Sequence, residues 1–416
     1  MPHKPIIDNN FRDTHIIGLL QMKQRLFVIL NLSLVSGFVI LGVTIISPVL
    51  PQYALSFSIP VALVGWAISA FALARVVTDI PAGFLADRFG RKRTMILGLV
   101  LIILSSIGAG LADTYAWLIF ARIVGGIGSA LYMIAATTWV AQVSAGKSRG
   151  RYMALYTGLV FAGTAFGPTI GGYTAARFGL NAPFFAWAAL GVAGLIATVP
   201  LKEKATQSRI CIKDILSVLS NRPFMLVNCA VLAMFFLRVG VRSTLVPLYA
   251  HLNLGLSVDR IGLLLTVAAV ATAASTFLSG WLSDRVGRKR PVMACLFLSG
   301  IVVLFIPSQG SLTGLMGIMA FYGLATGLQG SMAAWPADVA PKGKLGISMG
   351  VYRVMGDIGM VLGPITATYI AGYTGDQTVT FMPFLAPALL VFVVGVLMIR
   401  AEDPAAKRHF DEFTVQ

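Results

Sequence analysis

The sequence predicts an all-α membrane protein whose twelve transmembrane helices form two pseudo-symmetric six-helix bundles. Of its 416 residues, 57% are hydrophobic and only 12% are charged, whereas a soluble domain has about 25% charged residues. Apolar runs long enough to span a bilayer, about 20 residues, recur along the whole chain. A charged stretch, GFLADRFGRKR at 83–93, returns as GWLSDRVGRKR at 280–290. Such a match identifies an internal duplication, so two equivalent halves are expected.

The apolar runs predict twelve spans with short connections. They lie near residues 26–50, 61–84, 94–112, 116–143, 151–175, 182–200, 224–250, 258–282, 292–308, 312–337, 346–373 and 380–400. The first run, Leu26–Leu50, holds 25 residues without a charge, which is too long for the core of a signal peptide. The longest polar stretch between spans divides the chain in two. We therefore expect a tail at 1–25, a bundle at 26–200, a linker at 201–222, a second bundle at 223–400 and a tail at 401–416.

Lysine and arginine residues lie mainly on one side of the predicted helices. Of 32 such residues, 25 fall in the two tails and in the loops after spans 2, 4, 6, 8 and 10, whereas the other loops hold only Arg177 and Arg260. Cytoplasmic loops carry such an excess of positive charge, so both termini are predicted to be cytoplasmic. The short loops and tails favour a bacterial inner (plasma) membrane. Topology thereby explains the net charge of +16, and no nucleic acid is expected as a partner.

Several function classes lack the residues that they need. No G-x-x-x-x-G-K-[ST] loop occurs, which argues against an ATP-driven pump. The three cysteines, Cys211, Cys229 and Cys295, are odd in number and their spacing fits no metal site. Without a catalytic constellation, the chain is not expected to be an enzyme or to carry a metal or cofactor. The expected partners are a small-molecule substrate, protons and the lipid bilayer, with the chain acting as a monomer.

The duplicated charged stretch is the most specific motif. The identical positions include Gly83/Gly280, Asp87/Asp284, Arg88/Arg285, Gly90/Gly287, Arg91/Arg288, Lys92/Lys289 and Arg93/Arg290. The stretch resembles the signature loop of the major facilitator superfamily, G-x-L-a-D-R-x-G-R-[RK]-[RK], which the first copy matches almost fully and the second closely. The resemblance covers the whole chain in length, number of spans and duplication. It implies a secondary active transporter that works by alternating access.

The resemblance implies that this loop acts as a conformational latch. In the family, Asp87 would face the N-terminus of span 11, and Arg91 would pair across the loop. A carboxylate is favoured at the positive end of a helix dipole, so the contact would hold the two halves in the outward-open state. The latch candidates are Gly83, Asp87, Arg88, Gly90 and Arg91 in the first copy and Asp284, Arg285 and Arg288 in the second. Alternatively, the basic residues at 88–93 only enforce the topology.

A second motif lies in span 5, where GLVFAGTAFGPTIGG occupies 158–172. It resembles the G-x-x-x-G-P-x-x-G-G pattern of the antiporter branch, which includes the proton-driven drug exporters. Glycines at i, i+4 and i+8 present a bare helix face that lets helices approach closely, and an internal proline kinks the helix. The residues expected to form a seal are Gly163, Gly167, Pro168, Gly171 and Gly172. Span 11 replaces the final glycines by Ala367 and Thr368, so the stronger seal is expected at span 5, unless the glycines serve packing alone.

Charged residues inside the predicted spans are functional candidates, because a charge in the membrane interior is costly. They are Arg75, Asp79, Arg122, Arg238, Arg242, Arg353 and Asp357. Arg122, within FARIVGGIG, resembles the family's span 4 arginine, which is proposed to assist proton transfer. The second half has no arginine at the matching position, so a shared scaffold does not explain Arg122.

Four of these charges have helical i, i+4 spacing and lie at similar depths, Arg75 and Asp79 on span 2 and Arg353 and Asp357 on span 11. Spans 2 and 11 face one another in the superfamily, so the resemblance allows crossed pairs, Asp79 with Arg353 and Arg75 with Asp357. Such a cluster would be an inner gate and a site of proton coupling. Alternatively, each helix forms its own independent pair.

The other arginines make the predicted cavity electropositive. Many proton-coupled multidrug exporters have a carboxylate in span 1, where this chain offers only Asn31 and hydroxyls. No carboxylate is placed to neutralise Arg122, Arg238 and Arg242 in spans 4 and 7. Asn31, Arg238 and Arg242 are therefore candidates for the substrate cavity, which suits an anionic or zwitterionic solute better than a cation. Alternatively, the arginines bond to backbone carbonyls and only shape the cavity.

The leading prediction is thus a proton-coupled exporter of a drug or metabolite. The alternative is an organic-anion or metabolite exchanger or facilitator of the same fold. A membrane enzyme or receptor without transport activity finds no support in the sequence.

Overall fold

The computed structural model describes residues 9–144, 149–201, 203, 217–341, 345–375 and 378–401, and the regular secondary structure in these ranges is helical. Twelve long helices, numbered α1 to α12 here, follow the order of the predicted spans. In the first half they are α1 Asn9–Ile46, α2 Val61–Phe89, α3 Arg91–Gly110, α4 Tyr115–Val143, α5 Arg149–Phe178 and α6 Ala182–Thr198. In the second half they are α7 Arg222–Leu252, α8 Val258–Val286, α9 Lys289–Phe305, α10 Leu312–Gly327, α11 Leu345–Thr374 and α12 Met382–Ile399.

The lengths of these helices suit a membrane. Among the described helices, 11 are long and apolar enough to cross a bilayer, and α6, with 17 residues, is a shorter apolar helix. A rise of 1.5 Å per residue gives α6 a length of about 26 Å, close to the thickness of a hydrocarbon core. The predicted fold class is confirmed. Most of the predicted linker and the residues after 401 lie outside the described ranges.

Local chemistry accounts for several helix starts. The side chains of Thr114, Asn221 and Ser311 accept hydrogen bonds from backbone N–H groups three residues later, at 3.3, 3.0 and 3.2 Å. These contacts satisfy N–H groups that have no partner within the first turns of α4, α7 and α10. The first predicted span ends earlier than expected, because α1 stops at Ile46 and a separate short helix, Leu50–Leu55, begins with a proline in its first turn.

The duplicated charged stretch is mostly helical, which corrects the predicted loop boundaries. Helix α2 continues to Phe89, and Gly90 alone separates it from α3. Gly90 has a φ of 91° and Gly287, at the equivalent turn after α8, has a φ of 86°. Only glycine adopts this left-handed region without a steric cost. Asp87 therefore lies on the last turn of a helix instead of in a loop.

The packing of the helices repeats in the two halves. In the first bundle α1 packs on α5, α2 on α4, and α3 on α6; in the second, α7 packs on α11, α8 on α10, and α9 on α12. The same duplication relates the two contacts between bundles, α2 with α11 and α8 with α5. We call the end that carries the turns α2–α3 and α8–α9 the basic side, and the end that carries the connections α1–α2 and α7–α8 the opposite side.

Candidate functional site

The α2–α11 contact is tight on the opposite side. The backbone N–H of Gly65 donates to Oγ1 of Thr368 at 3.1 Å, and this hydroxyl lies 3.2 Å from the carbonyl oxygen of Ala62. A Cβ added to Gly372 would stand 2.7 Å from the Cβ of Ala62. The two backbones therefore approach as closely as glycine allows.

The α5–α8 contact is tight at the same end. A Cβ added to Gly172 would stand 3.1 Å from Cα of Gly262, and a Cβ on Gly262 would stand 3.2 Å from the carbonyl carbon of Pro168. The backbone N–H and the hydroxyl of Thr169 both reach Oγ1 of Thr266, at 3.1 and 2.7 Å. The opposite side of the assembly is thus closed along both contacts.

The same four helices have room around them on the basic side. A Cβ added to a glycine near the basic end of α2, α5, α8 or α11 would meet no other atom of the described residues within 4 Å. These glycines are Gly83, Gly158, Gly280 and Gly350. We infer that the two bundles touch at the opposite side and separate towards the basic side in this conformation.

Four charges join α2 to α11 between these two regions. Nη2 of Arg75 lies 3.1 Å from Oδ1 of Asp357, and Nε of Arg353 lies 3.2 Å from Oδ2 of Asp79. Both aspartate side chains are only 4% exposed. The ion pairs therefore run between helices, which confirms the crossed arrangement and not the intrahelical one. We refer to these residues as the four-charge cluster.

The cluster lies deep in the helices and keeps spare acceptor atoms. At 1.5 Å per residue, Asp79 lies about 15 Å from the end of α2 and Asp357 about 18 Å from the start of α11. By contrast, three other acidic residues of the long helices lie within two positions of a helix end: Asp87, Asp259 and Asp284. Oδ2 of Asp357 and both oxygens of Asp79 accept no hydrogen bond from the described residues, so the Asp79–Arg353 contact is an ion pair by distance alone.

The glycine face of α5 packs within its own bundle, which corrects the predicted seal. A Cβ added to Gly163, Gly167 or Gly171 would come closer than 3.0 Å to α1. The hydroxyl of Thr44 in α1 also donates to the carbonyl of Gly163 at 2.8 Å. The three glycines thus hold α5 against α1, because a helix face without side chains lets the adjacent helix pack closely. Pro168 and Gly172 are the residues of that motif that face α8.

The guanidinium group of Arg122 has its interaction partners on α2. Its Nε donates to the carbonyl oxygen of Ala67 at 3.0 Å, and its guanidinium lies 4.5 Å from the ring centre of Phe71. The backbone-carbonyl arrangement considered from the sequence is therefore present for this arginine. Its buried charge holds α4 to α2 inside the first bundle.

The three predicted cavity residues do not share one environment. Nδ2 of Asn31 donates to the carbonyl of Ala197 at 2.8 Å, which fixes the amide at the contact of α1 with α6 and not in a central cavity. Arg238 and Arg242 lie in α7, where the backbone of Arg238–Leu245 is π-helical. Arg242 is 7% exposed, and neither arginine has an ion pair among the described residues.

The signature turns make contacts that the sequence did not predict. The buried guanidinium of Arg91 donates to Oε1 of Gln142 at the end of α4, and Arg288 forms an ion pair with Asp338. Arg285 lies over the ring of Trp281, at 4.0 Å. Residues 342–344, which precede α11 in the chain, and the side chain of Asp284 lie outside the described residues, so the contact predicted for Asp87 is still a prediction.

Glu203, a residue of the predicted linker, was not among the functional candidates that the sequence indicated. Its two carboxylate oxygens accept hydrogen bonds from the backbone N–H groups of Arg91 and Lys92, at 2.8 and 2.9 Å. Nζ of Lys92 donates to the carbonyl of Val199 at 2.5 Å. An acidic residue next to the first linker lysines was the available signal, because a carboxylate is favoured at a helix N-terminus.

Comparison with known proteins places this arrangement in a family. Residues 32–258 and 231–414 match the model of the Major Facilitator Superfamily. The chain is 27% identical to Multidrug resistance protein 2 of Bacillus subtilis (strain 168) over 397 residues, covering 91% of this chain and 96% of the relative. It is 28% identical to the multi-drug resistance efflux pump PmrA of Streptococcus pneumoniae serotype 4, covering 78% and 83%. The quinolone resistance protein NorA of Staphylococcus aureus (strain MRSA252) is 28% identical over 45% of this chain and 48% of its own length.

Solved structures share the fold at lower identity. A bacterial homolog of the human lysosomal transporter Spinster has a TM-score of 0.75 at 17% identity, covering 91% of this chain and 97% of that chain. The human organic anion transporter MFSD10 has a TM-score of 0.66 at 19% identity, covering 90% and 99%. With the family match along both halves, the chain belongs to the Major Facilitator Superfamily and is a multi-pass membrane transporter.

Proposed function

We propose that this protein exports a small organic molecule, a drug or a metabolite, in exchange for protons. The efflux direction is supported by its similarity to relatives named as multidrug and quinolone resistance proteins. Alternating access is supported by the contrast between the closed opposite side and the separated basic side. In this proposal the two bundles rock against each other around a central solute.

The observation that carries proton coupling is the four-charge cluster. A proton bound to Asp79 or Asp357 removes the charge that neutralises an arginine of the other bundle. Removing one partner of a buried ion pair costs about 3–5 kcal/mol, so protonation would change the balance between conformations by roughly a hundredfold or more. Proton binding and separation of the bundles at this level are therefore linked.

The named residues take distinct roles in this proposal. Asp357 carries the proton in this proposal; its Oδ2 accepts no hydrogen bond from the described residues, as is also true of both oxygens of Asp79. Arg75, Asp79 and Arg353 complete the inner gate. Arg122 assists proton transfer from its position beside α2.

The remaining predictions on topology and latching form part of the same proposal. The basic side is cytoplasmic, both termini lie there, and the protein works as a monomer in a bacterial inner membrane. Asp87 and the basic residues of the signature turns stabilise the other conformation, the outward-open state, in which the basic ends of α2 and α11 come together. Pro168 and Gly172 belong to the seal that closes the side facing away from the cytoplasm.

An organic-anion or metabolite exchanger is the second candidate. It is favoured by Arg242, which is buried, and Arg238, which is half-buried, because neither of these positive charges in α7 has an ion pair among the described residues. Such an exchanger would move its solute down a solute gradient and would not require protons.

Proteoliposomes separate the two candidates. Accumulation of norfloxacin and ethidium is followed by fluorescence in acid-loaded vesicles and again after nigericin has collapsed the pH gradient. Proton-coupled export predicts accumulation that depends on the gradient in the wild type and is lost in Asp357→Asn, but not in the control Asp113→Asn, whose side chain is exposed outside the long helices. Equal transport with and without the gradient would favour the exchanger.

A further inference from the structure

Helix α7 changes its backbone geometry where its two interior arginines, Arg238 and Arg242, lie. From Arg238 to Leu245 the chain is π-helical, and the hydroxyl of Thr244 donates to the carbonyl of Val239, five residues back, at 2.7 Å. π-Helical turns are rare and occur frequently at functional sites. The distortion thus marks the segment 238–245 for a role beyond packing.

The π-helical segment is fixed against α11 through glycine. A Cβ added to Gly240 would stand 2.8 Å from the carbonyl carbon of Gly363, so these backbones are in direct contact. Arg238 and Arg242 are four residues apart and share one side of the helix, whereas Gly240, midway between them, lies on the other. The contact with α11 therefore leaves both arginines on a common face directed away from Gly363.

Two tyrosines and one phenylalanine surround the arginine pair. The guanidinium of Arg238 lies 6.0 Å from the ring centre of Phe235. Tyr322 of α10 lies within electrostatic reach of both arginines, and Tyr352 of α11 within reach of Arg238. The hydroxyl of Tyr322 donates to the carbonyl of Leu237 at 3.2 Å, which holds this ring beside the π-helical segment.

The charge of this pair is not balanced by the described part of the protein. Each of the other interior arginines has a partner: Arg75 and Arg353 have carboxylates, and Arg122 has a carbonyl and an aromatic ring. Arg238 and Arg242 instead lie next to each other, and no carboxylate of the described residues pairs with either. Two neighbouring like charges, one buried and one half-buried, favour an anion between them, because removing a charge from water is costly unless the charge is paired.

We propose that Arg238 and Arg242, together with Tyr322 and Tyr352, bind the carboxylate of an anionic or zwitterionic organic solute. The proposal rests on the transport function argued above and names its substrate class. Two guanidinium groups offer donors that match the oxygens of a carboxylate, and the hydroxyl of Tyr352 adds another donor, whereas Tyr322, whose hydroxyl donates to Leu237, fixes the ring beside the pair. Phe235 offers an apolar surface for the organic part of the solute.

The position of Tyr352 connects this site to the four-charge cluster. Tyr352 immediately precedes Arg353 on α11. Tyr352 lies near Arg238 in its own bundle, whereas Arg353 pairs with Asp79 of α2 in the other bundle. A solute that binds Arg238 and Tyr352 would shift α11, and with it the Asp79–Arg353 ion pair. The site is therefore placed to couple solute binding to the movement of the bundles.

Benzoate and its neutral isostere benzamide test the charge preference directly. Thermal unfolding of the purified full-length protein in a neutral detergent is measured while either compound is titrated. We expect saturating benzoate to raise the Tm by about 2 °C or more, since a ligand that binds only the folded state stabilises it. Benzamide should leave the Tm unchanged.

Variants assign the effect to the arginine pair. Arg238→Gln and Arg242→Gln should each weaken benzoate binding by roughly tenfold or more, because a charge-assisted hydrogen bond is lost. Arg242→Lys keeps the charge and should retain the preference for benzoate. Arg177→Gln, at an exposed arginine stacked on Tyr173, is the matched control and should behave as wild type.

Two outcomes would overturn the proposal. One is a wild-type protein that benzoate does not stabilise, or that benzoate and benzamide stabilise equally. The other is a benzoate effect that both glutamine variants retain. These results are independent of proton coupling, because the measurement needs no membrane and no gradient. A protein that failed the vesicle test but preferred benzoate would lose the proposed function and keep the anion site.

Discussion

The two contacts between the bundles, α2–α11 and α5–α8, are equivalent by duplication yet differ in charge. The register of the duplicated motifs relates Arg75 and Asp79 of α2 to Thr272 and Thr276 of α8. The hydroxyls of these threonines bond to carbonyls of their own helix, at 2.8 and 2.7 Å. The positions of α5 that correspond to Arg353 and Asp357 are Thr157 and Phe161. At these equivalent positions one contact therefore carries four charges and the other none, so the proposed proton coupling belongs to α2–α11 alone.

The opposite-side ends of the two contacts are more alike, although not in the way that span 5 suggested. Both place a backbone N–H group beside a threonine hydroxyl of the other bundle, Gly65 beside Thr368 and Thr169 beside Thr266. The α2–α11 contact adds a hydrogen bond from Ser69 to the carbonyl of Val361, at 2.6 Å, and two ion pairs. The polar contacts of the described residues thus favour α2–α11 as the stronger seal, in contrast to the expectation from the glycine motif.

The largest expected effect comes from neutralising one carboxylate of the cluster. Asp357→Asn leaves Arg75 buried without its partner, which typically costs about 3–5 kcal/mol. We expect loss of gradient-driven transport together with a lower Tm, measured in proteoliposomes and by thermal unfolding. Normal transport by both Asp357→Asn and Arg353→Gln would remove the cluster from the mechanism.

A charge exchange separates gating from proton carrying. Placing aspartate at position 75 and arginine at position 357 restores the ion pair but moves the carboxylate to α2. If the cluster is only a gate, the double variant should transport more than either single variant. If Asp357 carries the proton, solute exchange returns while the dependence on the pH gradient stays lost.

A smaller effect is expected from filling the seal of the uncharged contact. Gly262→Leu places a side chain against the backbone of Pro168, and overpacking typically costs about 1–3 kcal/mol. A Cβ at Gly280 on the same helix would meet no atom of the described residues within 4 Å in this conformation, so Gly280→Leu is the matched control. We expect Gly262→Leu to lower the Tm while Gly280→Leu does not. Equal Tm values would show that α5–α8 is not tightly closed.

The smallest effect should come from single hydroxyls in the two seals. Thr368→Val and Thr169→Val each remove interbundle hydrogen bonds worth about 0.5–1.5 kcal/mol in a typical protein. Thr138→Val, at an exposed threonine bonded only to its own helix, provides the baseline. Because Thr368 lies in the contact with more polar interactions, Thr368→Val should lower the Tm at least as much as Thr169→Val does. The reverse order would make α5–α8 the dominant seal.

The features that the sequence predicted correctly depend on local spacing. Apolar run length predicts the helices, and two i, i+4 pairs of opposite charge predict the crossed contacts between Arg75, Asp79, Arg353 and Asp357. The family resemblance supplied the neighbouring helices, because nothing in either pair alone identifies its partner. Once α2 faces α11, the crossed pairs follow from charge alone.

The features that escaped prediction depend on tertiary structure. A bare face such as that of Gly163 shows that some helix packs closely, but not whether this helix is α1 or α8. The π-helical turn at Arg238 changes hydrogen bonding over a few residues and leaves no periodic trace. Glu203 caps a helix more than a hundred residues away, and chain distance of this size hides the pairing from any local pattern.

The crossed arrangement of the four-charge cluster also restricts how the bundles can move. Helices α2 and α11 are antiparallel, and each carries an arginine followed four residues later by an aspartate. Four residues rise about 6 Å, so sliding one helix past the other by a single turn would bring Arg75 opposite Arg353, or Asp79 opposite Asp357. The cluster therefore disfavours translation of one helix past the other along their axes, because such a shift brings like charges together. Tilting about the cluster keeps both pairs aligned, and the alternating motion is therefore expected to be a rotation and not a shear.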